Sequence, residues 1–259
     1  MSVSGACVKT YLLERSRVSC HSPGERSFHI FYEMLAGVDE GMRKRLKLDG
    51  AKRFRYLCGL DKDVEFRPSD RENFSTLGRA LDNVGFDADE KLYTYQIVAG
   101  ILHFGNIEIV QDQGVSNQGD VATVKKNCTA LAAAADMFGM PYLKDLAQLF
   151  SVRWITVGRE TTTVPLTVEQ AKATRDAIAK DMYARLFDWI NLKVNLSLDP
   201  ETATGGGFIG VLDIFGFESF ERNDLEQLLI NYANERLQVS FEKQILGTEA
   251  DLYIREGLT

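Results

Sequence analysis

The sequence predicts an α/β fold that is mainly helical, and three observations carry the prediction. Apolar residues recur at helical spacing over most of the chain. Four such segments open on a capping signature: Ser69-Asp70-Arg71-Glu72, Asp87 with Glu90, Thr167-Val168-Glu169-Gln170 and Asn223-Asp224-Leu225-Glu226. Runs rich in β-formers are short, as at residues 8–13, 107–110 and 152–157. Near the end, residues 208–212 form an apolar run broken only by Gly210, which reads as a strand buried on both faces.

The 259 residues are 45% hydrophobic and 26% charged, a globular composition long enough for one large domain or two smaller ones. A net charge of −7 argues against wholesale binding to nucleic acid or an anionic membrane. The one basic cluster, Arg43-Lys44-Arg45 with Lys47, Lys52, Arg53 and Arg55, reads as a solvated face. Cys7, Cys20, Cys58 and Cys128 form no C-x-x-C pair, and His21, His29 and His103 stand at no ligand spacing from them. Reduced thiols are therefore expected, with neither a zinc site nor a disulfide framework. The apolar stretch 97–102 is too short to cross a bilayer, and the N-terminus lacks a basic-then-apolar signal pattern. The expectation is a soluble intracellular protein.

In chain order, a strand at residues 8–13 opens almost at the first residue, as if the chain began within something larger. Pro23-Gly24 marks a turn. Residues 27–36 read as a helix with Phe28, Phe31, Tyr32 and Leu35 inward and Gly37 as its stop. Asp39 caps a short basic helix to about Leu46, and a loop with possible short strands runs to Pro68. The box at Ser69 launches a helix bearing Phe74, Leu77, Leu81 and Val84, stopped by Gly85. Asp87 and Glu90 start a largely buried helix to about His103, with Gly105 as its stop and a strand at 107–110.

Residues 111–120, rich in Gln, Asn, Asp, Ser and Gly, read as a surface loop. An Ala-rich helix at 129–138 follows, and Pro141 opens another helix bearing Leu143, Leu146, Leu149 and Phe150. A strand at 152–157 leads into a projecting hairpin-like loop, Gly158 to Thr163, then Val164-Pro165. The Thr167 box starts a long helix with Ile178, Met182, Leu186, Trp189, Ile190 and Val194 inward, and Gly205-Gly206-Gly207 breaks the chain before the 208–212 run. The helix from Asn223 to about Leu246 carries Leu225, Leu228, Leu229, Tyr232, Leu237 and Phe241.

The run at 208–212 delivers a carboxylate, Asp213, and then Gly216. Strand, acid, glycine and helix in that order suit the nucleotide end of a P-loop NTPase, where an Asp helps hold Mg²⁺ and a backbone N–H reaches a terminal phosphate. The same run also fits a buried strand that ends in an ordinary turn.

Longer matches sharpen this reading. Residues 5–18 (GACVKTYLLERSRV), 24–32 (GERSFHIFY), 101–107 (ILHFGNI), 176–180 (DAIAK), 186–189 (LFDW), 213–218 (DIFGFE) and 231–238 (NYANERLQ) together resemble the myosin motor head. They stand in the family's order and cover essentially the whole chain. A kinesin-like motor fits Asp213 to Glu218 less well and leaves the match from Gly5 to Trp189 unexplained.

The resemblance implies a partial motor domain with the fold of the myosin/kinesin-like P-loop NTPases. Residues 1–206 would be the upper actin-binding subdomain, 207–222 the strand and second switch, 223–246 the relay helix and 247–259 the start of the lower subdomain. The nucleotide-binding group would be Asp213, Ile214, Phe215 and Gly216. Asp213 would meet Mg²⁺ through water, and Gly216 would offer its N–H to the γ-phosphate of ATP. Glu218 would pair with an arginine of the first switch to hold attacking water in line. Asn231, Asn234 and Glu235 would belong to the relay, and Phe215 and Phe217 would anchor it.

Arg159, Glu160, Thr161 and Thr162 fall where myosins contact F-actin. Glu160 lies sixteen residues before Asp176, where the family carries an acid or a phosphorylatable Ser/Thr; a one-residue slip would put a Thr there instead.

No G-x-x-x-x-G-K-[ST] occurs in the sequence, and the first switch of the family lies just upstream of Gly5. The expectation is an internal piece of a cytoplasmic, actin-based motor, working with the remainder of its own head and carrying no light-chain site. The isolated chain is expected to be inactive as an ATPase. The alternative is an inactive fragment that acts at most as a weak actin-binding or interaction module.

Overall fold

Local capping chemistry accounts for where four of the described helices begin. In a computed structural model, which describes residues 4–11, 13–21, 24–48, 53–58, 62–112, 120–158, 160–198, 207–220 and 223–257, the chain divides into two units. One unit takes residues 1–8 and 15–200, and the other takes 9–14 and 201–259. The architecture is mainly helical, with two small antiparallel sheets.

The larger unit opens on a 3-10 turn, Arg15–Val18, followed by α1 (His29–Gly37), α2 (Glu40–Arg45) and α3 (Arg55–Cys58). Asp39 caps α2 as expected, accepting the Met42 N–H at 2.7 Å. No strand forms among the described residues between α2 and Pro68, where α3 appears instead. Helix α4 (Asp70–Val84) ends on Gly85 in the left-handed region, at φ 90°.

The expected box at Ser69 does not form, because Ser69 has helical backbone angles and its side chain caps nothing. Asp70 turns inward instead and pairs with Arg26, 44 positions earlier. Gly37 also differs from expectation. It carries no positive φ; a Cβ there would lie 2.5 Å from Phe74, so its glycine permits close packing of α1 on α4.

Helix α5 (Ala88–Gly105) begins with the full reciprocal box. Asp87 Oδ1 accepts the Glu90 N–H at 2.8 Å, and Glu90 Oε2 accepts the Asp87 N–H at 3.1 Å. Its last two turns are buried on every side, from Val98 to Gly105. Strands β1 (Ile109–Gln111) and β2 (Ala122–Val124) pair antiparallel, with Val110 opposite Thr123. Of the expected loop, residues 113–119 lie outside the described residues. Helix α6 (Thr129–Met137) packs on α5. Helix α7 (Leu143–Gln148) starts two residues after Pro141 rather than on it.

A Cβ at Gly100 of α5 would overlap the Phe138 ring. Gly100→Ala is therefore expected to destabilise this unit by about 1–3 kcal/mol, although alanine is the better helix former. A urea midpoint equal to that of the parent chain would contradict this.

The expected strand forms as β3 (Val152–Val157), but residues 160–163, expected in the projecting loop, pair with it as part of β4 (Glu160–Pro165). Thr167 and Gln170 box the start of α8 (Val168–Leu198), with bonds of 3.1 and 3.2 Å. The buried positions of α8 are Ala171, Arg175, Ala179, Tyr183, Ala184 and Leu186, whereas Ile178, Met182, Trp189, Ile190 and Val194 are only half-buried. Helix α8 packs on α5, and its buried positions mix three alanines with Arg175, Tyr183 and Leu186.

Two expected strands do not form. Residues 207–220 contain no helix or strand, and Phe208, Ile209 and Val211 are 95, 94 and 92% exposed. Residues 4–11 are likewise irregular and exposed, and Leu12 lies outside the described residues. A run that reads as buried on both faces becomes a strand only when neighbours supply a ladder and a cover. No described residue pairs with either run as a strand.

The smaller unit is dominated by α9 (Leu225–Phe241), a π-helical segment Glu242–Leu246 and α10 (Gly247–Glu256), which continue one another. Gln227 Oε1 accepts the Asp224 N–H at 3.0 Å at the start of α9. Leu225, Leu228, Tyr232 and Phe241 are each more than half exposed, while Ile230 is buried.

Candidate functional site

The Asp213–Glu218 turn is attached to α9 by two asparagine side chains. Asn231 Oδ1 accepts the Glu218 N–H at 2.9 Å, and Asn231 Nδ2 donates to the Glu218 carbonyl at 2.8 Å. One helical turn on, Asn234 Nδ2 donates to the Phe215 carbonyl at 2.7 Å and to the Ile230 carbonyl at 3.0 Å. A carboxamide carries donors and an acceptor in one plane, so Asn231 can satisfy both backbone groups of a single residue. Asn223 does the same for Phe220, at 2.9 and 2.7 Å. The turn without regular structure is thus held by side chains in place of a ladder.

Asp213, Ile214, Phe215 and Gly216 are exposed. A Cβ at Gly216 would meet nothing within 4 Å, so close packing is not the reason for glycine there. Glu218 is half-buried, and its Oε2 is buried with no hydrogen-bond partner among the described residues. An open groove of about 500 Å³ lies beside it, lined by Glu218, Asp224, Gln227 and Asn231 among others. A buried carboxylate oxygen without a partner calls for a cation or donor.

Asp213 offers a hard oxygen ligand of the kind Mg²⁺ takes alongside several waters and substrate phosphates, so the donor set fits half of such a site. Glu235 is exposed on α9.

The second group of candidate residues stands at the hairpin. Glu160 lies opposite Val157, Thr161 opposite Thr156 and Thr162 opposite Ile155; Gly158 turns the chain at φ 66°. Arg159 lies outside the described residues. Thr156 and Thr161 join their hydroxyls at 3.1 Å. Glu160 and Thr161 face opposite sides of the ribbon, so a one-residue slip would exchange the faces they present. Trp154 stands 51% exposed on the face of Thr156 and Thr161. Sequence reasoning does not single out Trp154, and it places Asn223 only in a helix-capping signature, whereas its side chain bonds Phe220; an aromatic amid polar hairpin residues and a recurring Asn around the turn are the signals.

The myosin head (motor domain) family model matches residues 1–259. The chain belongs to the myosin head family. It is 37% identical to Myosin-2B of Naumovozyma castellii over 259 residues, covering 99% of this chain and 18% of that protein. It is 38% identical to the Myosin IB heavy chain of Dictyostelium discoideum, covering 98% of this chain and 23% of the relative. Unconventional myosin-VI of Homo sapiens is also 38% identical, with 99% and 22% covered. This myosin head chain thus spans about a fifth of the length of the curated relatives it matches. No helix among its described residues is long and apolar enough to cross a membrane.

Proposed function

We propose that this chain is the part of an ATP-driven, actin-based motor that links nucleotide state to actin attachment, within the P-loop NTPase class. Residues 1–206 serve as the upper actin-binding subdomain, 207–222 as the second switch, 223–246 as the relay helix and 247–259 as the start of the lower subdomain. Asp213 faces Mg²⁺ through water, Gly216 presents its N–H to the γ-phosphate, and Glu218 receives a first-switch arginine on its partnerless Oε2. Bound ATP supplies the phosphoanhydride, and the chain's own groups orient and close around it.

The observation that carries this reading is the pair of carboxamides, Asn231 and Asn234, joining the backbone of the turn directly to α9. Any movement of Glu218 or Phe215 is passed to the helix through bonds of 2.7–2.9 Å. The π-helical segment further along interrupts regular bonding where a helix can change direction.

The exposed apolar residues at 208–211 and on α9 are surfaces for the remainder of the motor head. Arg159, Glu160, Thr161 and Thr162 meet F-actin, an assignment supported by the projecting hairpin. The setting is the cytoplasmic actin cytoskeleton, with no light-chain site on this segment.

Cosedimentation with F-actin and with microtubules, plus phosphate release, tests the reading. A motor head carrying these residues is expected to bind F-actin and to release phosphate faster with it, while the 259-residue chain alone releases none. Microtubule binding, or actin-stimulated release by the chain alone, would overturn it. The second reading, a non-catalytic interaction module, predicts actin binding without turnover in both proteins.

A further inference from the structure

We propose that Asn195 is a positioning residue whose carboxamide brackets the segment Ala6–Val8 onto the last turn of α8. Asn195 Oδ1 accepts the Val8 N–H at 2.6 Å, and Asn195 Nδ2 donates to the Val8 carbonyl at 2.9 Å. One turn on, the Leu198 carbonyl accepts the Ala6 N–H at 3.1 Å, which satisfies one of the last carbonyls of the helix. All three bonds lie within the larger unit.

The chemistry is specific to a carboxamide. Exchanging an N–H and a C=O with the same residue is what a neighbouring strand does across an antiparallel pair. A carboxamide carries a donor and an acceptor side by side on one carbon, close enough to meet both backbone groups of one residue. Asn is a poor residue for the interior of a helix, and Leu192, Leu196 and Leu198 around it are exposed, so core packing does not explain its presence. The bracket does, because it replaces the ladder that residues 4–11 lack.

Its placement gives it a consequence for the motor, and this step rests on the proposed function. Helix α8 starts directly after the hairpin, at the Thr167 cap, and runs for 31 residues to the bracket. At about 1.5 Å per residue that is a strut of about 45 Å. One end carries the loop proposed to meet actin. The other holds the chain that, by resemblance, follows the first switch. Asn195 makes residues 6–8 and α8 move together.

Amide hydrogen exchange on the 259-residue chain tests the bracket. In the parent chain the Ala6 and Val8 amides are expected to exchange more slowly than unstructured peptide. Asn195→Ala should speed both on the order of tenfold, the size expected for one or two net hydrogen bonds. Protection in α1 and α5 should stay unchanged, which excludes general unfolding. Asn195→Asp keeps the acceptor and loses the donor, so it should restore slow exchange at Val8, a rescue that a residue acting only through helix stability would not give.

Unprotected Ala6 and Val8 amides in the parent chain would overturn the proposal, as would equal protection in Asn195→Ala. Neither nucleotide nor actin enters the measurement, so failure of the bracket and failure of the motor reading are separate results.

Discussion

Asp70→Ala is expected to destabilise the larger unit by about 3–5 kcal/mol, the cost of breaking a buried ion pair from one side. Asp70 is 2% exposed and sits at the start of α4. Arg26 reaches it with both terminal nitrogens, Nη2 to Oδ2 at 2.7 Å and Nη1 to Oδ1 at 3.1 Å, and Oδ2 also accepts the Arg67 N–H at 2.8 Å. The Arg26 guanidinium lies 3.7 Å from the centroid of the Tyr32 ring, whose hydroxyl accepts the Ser27 N–H at 3.2 Å and donates to the Leu57 carbonyl at 3.4 Å. Removing the carboxylate strands a cation whose side chain is only 14% exposed.

Lysine at position 26 cannot replace the two-nitrogen fork, so Arg26→Lys should also lose stability, by a smaller amount. Urea unfolding measures both variants, and a loss below about 1 kcal/mol for Asp70→Ala would place the pair among weak surface bridges.

The pair also carries a pH dependence. Burial by itself raises the Asp70 pKa, but the Arg26 hydrogen bonds, the Arg67 N–H and the positive charges of Arg26 and Arg67 outweigh it and hold the carboxyl below its usual range. The unfolded chain therefore binds the proton first as the solution is acidified. The stabilisation is complete above the ordinary carboxyl pKa of about 3.9 and is lost as pH falls through the lower folded value. Asp70→Ala should flatten that acid limb of the stability profile.

Legibility in the sequence followed the range of each interaction. The boxes at Asp87 and Thr167 and the cap at Asp39 were readable because donor and acceptor lie three residues apart. The same pattern at Ser69 does not form a box, because Ser69 has helical backbone angles, and the residue beside it, Asp70, pairs with Arg26, distant in sequence. In α8 the apolar spacing pointed to Ile178 and Met182, yet Ala171 and Ala179 took the buried face, since which stripe is covered depends on the neighbouring helix.

The runs at 8–13 and 208–212 had the composition of strands, but composition supplies no partner strand. At the candidate site, the acid, the glycine and the second acid were legible from type and order. The attachment of Glu218 to Asn231 was not, because it joins a backbone to a side chain 13 residues away.

Glu218→Gln separates the chemistry of the turn from its architecture, and the two are expected to respond in opposite ways. The bonds to Asn231 use only the backbone N–H and carbonyl of Glu218, so they survive the substitution. The Oε2 they leave over is buried with no hydrogen-bond partner among the described residues, and neutralising its carboxylate removes a charge that none of them compensates. Stability of the 259-residue chain should therefore stay within about 0.5 kcal/mol of the parent or rise slightly.

In a motor head carrying the same change, an amide cannot pair ionically with a first-switch arginine. The attacking water then loses its fixed position, and hydrolysis should fall on the order of 100-fold, the penalty of a misplaced reactant. Asn231→Ala tests the other half of the argument. It keeps the carboxylate but frees the turn from α9, so exchange at the Glu218 amide should accelerate in the isolated chain. Loss of stability in Glu218→Gln with hydrolysis unchanged would reverse the assignment, making Glu218 a structural residue of the turn and not the group that closes the site.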